Sequence, residues 1–283
     1  MVTKKDYDAL QVEAARSVML ELVRLLAEYR DDIVVVGGWV PALLIPQDRK
    51  PHIGSVDVDL ALNHRTLTGP GYKTICRLLE GRGYAQDKKQ PFIFWRTVKV
   101  VDKEIVVEVD LLAGEYEGTG KTHRTQTVQD VRARKARGCD LAFQLPATIA
   151  IEGRLPGGAK DSTTVRIASI VPFLAMKGMA LATRLKEKDA WDIYYCVRWY
   201  PGEPEALVDV CREHIKNGLV REGFKNIAEK FASPDHVGPT FVADFEEISD
   251  PEARAVTKRD AYERVQYLLK GLGTARVVLR TDH

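Results

Sequence analysis

The first ordered pattern in the chain is helical. Leu10, Val12, Ala15, Val18, Met19, Leu22, Val23, Leu25 and Leu26 recur at three- and four-residue spacing between residues 5 and 29, which predicts an amphipathic helix. Arg30-Asp31-Asp32 closes it, and Ile33-Val34-Val35-Val36 follows as a β-branched run. Such a run is what a short buried strand requires. Gly37-Gly38 turns the chain into a short helix over 39–44, stopped by Pro46. Alternation then predicts a second strand at 56–62, a helix at 72–81, and a strand pair at 92–98 and 104–111 turning at Asp102-Lys103. Residues 113–127 are polar and read as a loop. Two more strands, 147–153 and 163–167, flank Pro156-Gly157-Gly158. From Ser169 onward the period becomes helical, with helices predicted at 170–199, 203–216, 218–232 and 251–271 and with Pro234 and Pro239 in a loop. The expected class is α+β: a mixed sheet carrying helices in 1–168, then a mainly helical region in 169–283.

Composition adds boundaries to this picture. The chain has 283 residues, 45% hydrophobic and 29% charged, enough for one large domain or two modest ones. No apolar run approaches the roughly 20 residues of a membrane span, and the N-terminal stretch is charged and amphipathic, not a signal core. A cytoplasmic protein with no membrane partner is expected. Cys76, Cys139, Cys196 and Cys211 have no zinc-ligand spacing and are expected as reduced thiols. The six histidines are scattered, with no Ser/His/Asp or Cys/His arrangement. The net charge of +2 argues neither for nor against nucleic acid. The distribution matters more: Arg132, Arg134, Lys135 and Arg137 cluster, with His123 and Arg124 nearby. That cluster is either a solvated helix face or a contact for a phosphate backbone.

The candidate chemistry begins at Asp57-Val58-Asp59. Alternate residues of a strand share a face, so both carboxylates point the same way. Asp110 on the later strand is a candidate third acid, with Glu108 on the same face two residues earlier. Hard oxygen donors on a rigid sheet suit Mg²⁺ or Mn²⁺ bound together with substrate phosphates. Gly37 and Gly38 let the backbone approach a phosphate closely. These parts read as a nucleotidyl-transfer site with an NTP as co-substrate.

A second constellation is Lys177, Arg184, Lys188, Asp189 and Asp192. On one continuous helix Arg184 and Lys188 would lie about 20° to either side of Lys177, with Asp192 about 60° and Asp189 about 120° away. Stacked like charges repel, so a polyanion such as a triphosphate is expected against them. The alternative is an amphipathic helix with a salt-bridged solvent stripe. Asp189 and Asp192 could orient the cations, bind metal or act as a base.

The ordered set Gly37-Gly38, Asp57-x-Asp59 and Asp110 resembles the nucleotidyltransferase superfamily related to DNA polymerase beta. The run Lys177-x-x-Ala180-x-x-x-Arg184-x-x-x-Lys188-Asp189-x-x-Asp192-Ile193 is similar to the helical motif of AbiEii/AbiGii-type, MenT-like nucleotidyltransferase toxins. The resemblance covers about residues 33–197. It implies a polymerase beta-like fold, Gly38 on the triphosphate, Asp57 and Asp59 on Mg²⁺, Lys177 on nucleotide phosphate, and Asp192 (or Asp189) as an essential acid. Ser55 stands two residues before Asp57, where small hydroxyl residues are typical of the family. The implied acceptor is the tRNA 3′ end, and the implied partner is an antitoxin protein or a kinase, for which Ser55 is the nearest hydroxyl. Trp39 departs from the pattern, since a smaller residue is usual there, so a tighter or differently shaped phosphate turn is expected.

Two rivals stay open. An aminoglycoside-type enzyme of the same fold would need an acidic acceptor pocket, and Asp244, Glu246, Glu247, Asp250 and Glu252 offer acids. A non-catalytic nucleotide-binding module fits less well, because two carboxylates on one face are costly to hold without a cation. Trp191, Tyr194, Tyr195, Trp199 and Tyr200 are expected in packing, with base stacking as the other use.

Overall fold

The computed structural model describes residues 2–48, 50–67, 74–115 and 125–274. His123, Arg124, the start of the helix predicted from residue 72 and the segment 275–280 lie outside them. The class is α+β, with a nine-stranded mixed sheet and a largely helical C-terminal region. Contacts divide the chain into two compact units. One holds Tyr7–Leu43 and Ile53–Ser169; the other holds Met1–Asp6, Leu44–His52 and Ile170–His283.

In the sheet unit, α1 (Ala9–Leu25) starts where Asp8 caps the backbone N–H groups of Leu10 and Gln11, satisfying two of the helix's orphan donors. Its apolar stripe, Ala14, Ala15, Val18, Met19 and Leu22, is fully covered. Glu21 sits among them and is held by Arg82, Arg96 and the Tyr84 hydroxyl. The all-apolar β1 (Ile33–Val36) is buried throughout. It pairs antiparallel with β2 (Asp57–Leu62) and parallel with β9 (Lys160–Ala168). Next to β2, in parallel, lies β5 (Lys103–Ala113), which forms a hairpin with β4 (Ile93–Val100). The short β3 (Ala85–Gln86) and β8 (Pro146–Arg154) complete the main order β3-β4-β5-β2-β1-β9-β8. Three short helices belong to this part of the chain: α2 (Trp39–Leu44), α3 (Ile75–Gly81) and α4 (Cys139–Gln144).

Two expectations change here. Thr125–Val128 and Val131–Lys135 form an antiparallel pair, β6 and β7, and β7 joins β5 in parallel. The end of the expected loop is therefore strand, and Arg132, Arg134 and Lys135 lie on a strand and not on a helix face. Their polar side chains hid the strand, because only Val131 and Ala133 are buried on it.

The helical unit contains α5 (Ile170–Arg184), α6 (Glu187–Trp199), α7 (Pro204–His214), α8 (Gly218–Lys230), α9 (Val237–Phe245) and α10 (Pro251–Gly271). The single helix expected over 170–199 is broken: Leu185 takes φ +38 and Lys186 is extended. The stretch around Pro239 is helix α9 and not loop, because Pro239 falls in its first turn, where a missing N–H costs nothing. Helices α5 and α8 cross at glycines. A Cβ on Gly178 would stand 2.2 Å from the Gly223 carbonyl oxygen, and one on Gly223 would stand 2.5 Å from the Ala175 backbone.

That crossing predicts that Gly223→Ala forces the helices apart and destabilises the protein by about 1–3 kcal/mol. Gly218→Ala, on the same helix with open space around it, should not. Urea unfolding of both variants measures the difference.

Candidate functional site

Parallel pairing of β2 with β5 is in register: Asp57 lies opposite Glu108 and Asp59 opposite Asp110. All four acids therefore share one face of the sheet. At the end of β1, Val36 pairs with Asp59, so the Gly37 turn begins beside that carboxylate. Gly37 has φ +70, and a Cβ on it would stand 1.8 Å from Asp59 Oδ2. Only glycine fits both the backbone conformation and the approach.

Ser55 Oγ donates to Asp57 Oδ1. It is buried and committed to that bond, so it is poorly placed as the hydroxyl a kinase would modify. Trp39 is buried too, and its indole N–H donates to the Asp57 carbonyl at 2.8 Å. The bulk that looked out of place after the glycines fastens the start of β2. Arg134 donates from Nη2 to Asp110 Oδ2. Arg137 pairs with Glu115 at 2.8 Å, leaving Arg132 as the exposed cation of that strand. Among the described residues no group of three His, Cys, Asp or Glu side chains is arranged to hold a metal ion. The chemistry of the donors still fits a hard cation at Asp57 and Asp59, which present carboxylates at i and i+2 on a half-buried strand end.

The second constellation is built differently from the stripe expected of one helix. With the break at Leu185, α6 folds back and its acids meet the cations of α5. Asp189 accepts from Lys177 Nζ at 2.7 Å and from Arg184 Nε at 2.8 Å. Asp192 takes Lys177 on Oδ2 at 2.7 Å and Lys188 on Oδ1 at 2.8 Å. The chain supplies its own counter-charges, so like-charge stacking no longer calls for a polyanion. Three cations thus share two carboxylates. Relative exposures are 7% for Lys177, 6% for Lys188, 2% for Asp189 and 0% for Asp192, while the Arg184 side chain is 42% exposed.

A residue given no role by the sequence completes this network. His52 donates from Nε2 to Asp192 Oδ1 at 3.0 Å, and its ring packs against Trp191 and Tyr195. The segment that carries it is fastened by the Tyr195 hydroxyl on the Lys50 carbonyl and by Lys50 on Glu246. No local signal marks His52, because its partner is 140 residues away. Burial would raise the Asp192 carboxyl, but Lys177 and Lys188 outweigh it and hold Asp192 below the usual carboxylate range. Burial would equally lower Lys177, and Asp189 and Asp192 push it up instead. His52 is lowered to about 4 by burial and then by Lys188, against the pull of Asp192. It is therefore neutral at pH 7, which leaves Nε2–H as donor.

The C-terminal acids are likewise engaged. Asp244 holds Arg254, Glu246 holds Lys50 and the Trp191 indole, Glu247 holds Lys5, and Asp250 caps α10. Trp191, Tyr194 and Tyr195 are buried, in keeping with packing. The four cysteines are free, and among the described residues no helix is long and apolar enough to cross a membrane.

No family model matches the chain, and no curated protein matches it. Among solved structures it is similar to the crystal structure of JHP933 from Helicobacter pylori, at 13% identity and a TM-score of 0.47, over 95% of this chain and 96% of that one. A likeness at that level carries no argument about function.

Two predictions follow from the buried network. Asp192→Asn leaves Lys177 and Lys188 buried with too little negative charge and should cost about 3–5 kcal/mol, read by chemical denaturation. The second concerns acid. His52 titrates near 6.5 when unfolded and near 4 when folded, so the unfolded chain binds the extra proton first. Stability is intact above pH 6.5 and falls by up to about 3 kcal/mol as pH drops to 4. Asp192, also depressed, adds its loss only below its unfolded value near 3.8. His52→Gln should make the 6.5-to-4 fall shallower, leaving the part contributed by His64, which burial also lowers, and leave the lower window unchanged.

Proposed function

We propose that this protein is a Mg²⁺-dependent nucleotidyltransferase that moves a nucleoside monophosphate from an NTP to a hydroxyl acceptor and releases pyrophosphate. The observation that supports it best is the meeting of the Gly37 turn with the Asp57/Asp59 strand, in register with β5. A phosphate-approach turn and a pair of carboxylates on one rigid face are the parts such a transfer requires. Ser55 and Trp39 fix the carboxylate and the backbone of Asp57, so the pair is held before substrate arrives. Asp57 and Asp59 would hold Mg²⁺ or Mn²⁺. The ion would neutralise triphosphate charge as the bond to the leaving pyrophosphate breaks. Gly37 and Gly38 would present backbone to the phosphates. The Lys177, Arg184 and Lys188 cluster would favour binding an anion, with Arg184 its most exposed member.

The resemblance at Gly37-Gly38, Asp57-x-Asp59 and the Lys177–Ile193 motif extends the reading to an AbiEii/AbiGii-type toxin acting at the tRNA 3′ end in the cytoplasm, countered by an antitoxin. The exposed Arg132 on β7, with Lys135 beside it, is the feature that would contact an RNA backbone, and such contacts weaken steeply with salt. Four of the acids that the small-molecule alternative would use, Asp244, Glu246, Glu247 and Asp250, already bind groups of this chain.

Incubation with Mg²⁺, bulk tRNA and each NTP labelled at the α-phosphate tests the proposal. Label should pass to tRNA from one NTP, and Asp57→Asn should cut the rate by about a thousandfold without altering the unfolding midpoint by more than about 1 kcal/mol. Undiminished transfer by Asp57→Asn would overturn the site. Transfer absent with tRNA but present with another hydroxyl compound would overturn the acceptor alone.

A further inference from the structure

Asp110 already has a cation. Leu112 of β5 pairs with Arg134 of β7, which puts Arg134 on the face that carries Asp110, two residues back along the strand. The guanidinium reaches back and donates from Nη2 to Asp110 Oδ2, while its carbon stands 5.9 Å from the Phe92 ring centroid. Asp110 is only 6% exposed, so water competes poorly for it. A guanidinium does not lose its proton at any pH a protein survives, and the charge on Asp110 is therefore balanced permanently. Asp57 differs: it is half-buried, and Ser55, its hydrogen-bond partner, brings no charge.

We propose that Arg134 is a built-in counter-ion that stands beside Asp110 where a second metal ion would otherwise sit, so that this face of the sheet holds one divalent cation, on Asp57 and Asp59. The inference rests on the nucleotidyl-transfer reading and deepens it by fixing the metal stoichiometry. An ion approaching Asp110 meets the fixed positive charge of a guanidinium that already holds Oδ2 of a mostly buried carboxylate. Arg134 is thereby a positioning residue. It holds Asp110 toward β7 and offsets its charge.

Binding of Mn²⁺ alone to the full chain, followed by the paramagnetic resonance of the free ion without nucleotide, tests this. The wild type should take up one ion per chain, lost in Asp57→Asn. Asp110→Asn keeps an oxygen for Arg134, preserves the pairing and should bind Mn²⁺ within about twofold of wild type. Arg134→Gln removes the positive charge beside Asp110 and should add a second ion or tighten binding by about tenfold or more. Two ions in the wild type, a loss of binding in Asp110→Asn, or no gain in a folded Arg134→Gln would each overturn the inference while leaving an Asp57-dependent site standing. If Arg134→Gln does not fold, Asp110→Asn decides alone. Absence of any Asp57-dependent Mn²⁺ would overturn the reading of the site, and this inference with it.

Discussion

Parallel strands in register place partner side chains on one face, and in this sheet that rule sets Asp57 beside Glu108 and Asp59 beside Asp110. Like charges placed this way repel one another unless something compensates. Much of the surrounding architecture answers that strain. Arg134 arrives from β7, Ser55 donates to Asp57, and the missing side chain at Gly37 gives Asp59 room against the backbone. Trp39 secures the strand start through a backbone carbonyl, so the carboxylates do not have to support their own position.

The helical unit handles charge by the opposite strategy. There the acids and bases are buried together and nearly cancel. Such a network is weak grounds for stability compared with an apolar core, yet removing any one member is expensive. The practical difference is large. A variant at Asp57 should disturb folding little, because that residue is half-buried and lightly bonded. A variant at Asp192 or Lys177 reports first on folding, and loss of activity there does not by itself mark a catalytic group.

Legibility in the sequence followed the strength of local signals. The β-branched run 33–36, the alternation at 57–62 and the hairpins of β4–β5 and β8–β9 were readable, because burial on the sheet dictates residue type at every second position. The strands β6 and β7 were not, since arginines and threonines cover them and only two β7 positions face the core. Helix α9 was hidden by Pro239, which punctuates a chain in general but is harmless in a first turn. The break after Arg184 carried no glycine or proline. It exists because Asp189 can satisfy Lys177 and Arg184 together only when the helix folds back, a tertiary demand with no local trace. The candidate acids were legible as a spacing. Their partners Arg134, Trp39 and His52 were not, since each acts across 18 to 140 residues of chain.

The course of the chain between the two units has its own consequence. The segment Leu44–His52 leaves the sheet unit, contributes to the helical one, and returns at Ile53. No single cut can therefore separate the halves cleanly. A fragment beginning at Ile170 would carry Asp192 without its imidazole and Tyr195 without the carbonyl of Lys50. On the ribosome the same fact imposes an order of events: His52 must wait for some 140 further residues to be made before its partner exists. Closing so long a loop costs chain entropy that contacts near in sequence do not, so the helices can form before His52 reaches Asp192.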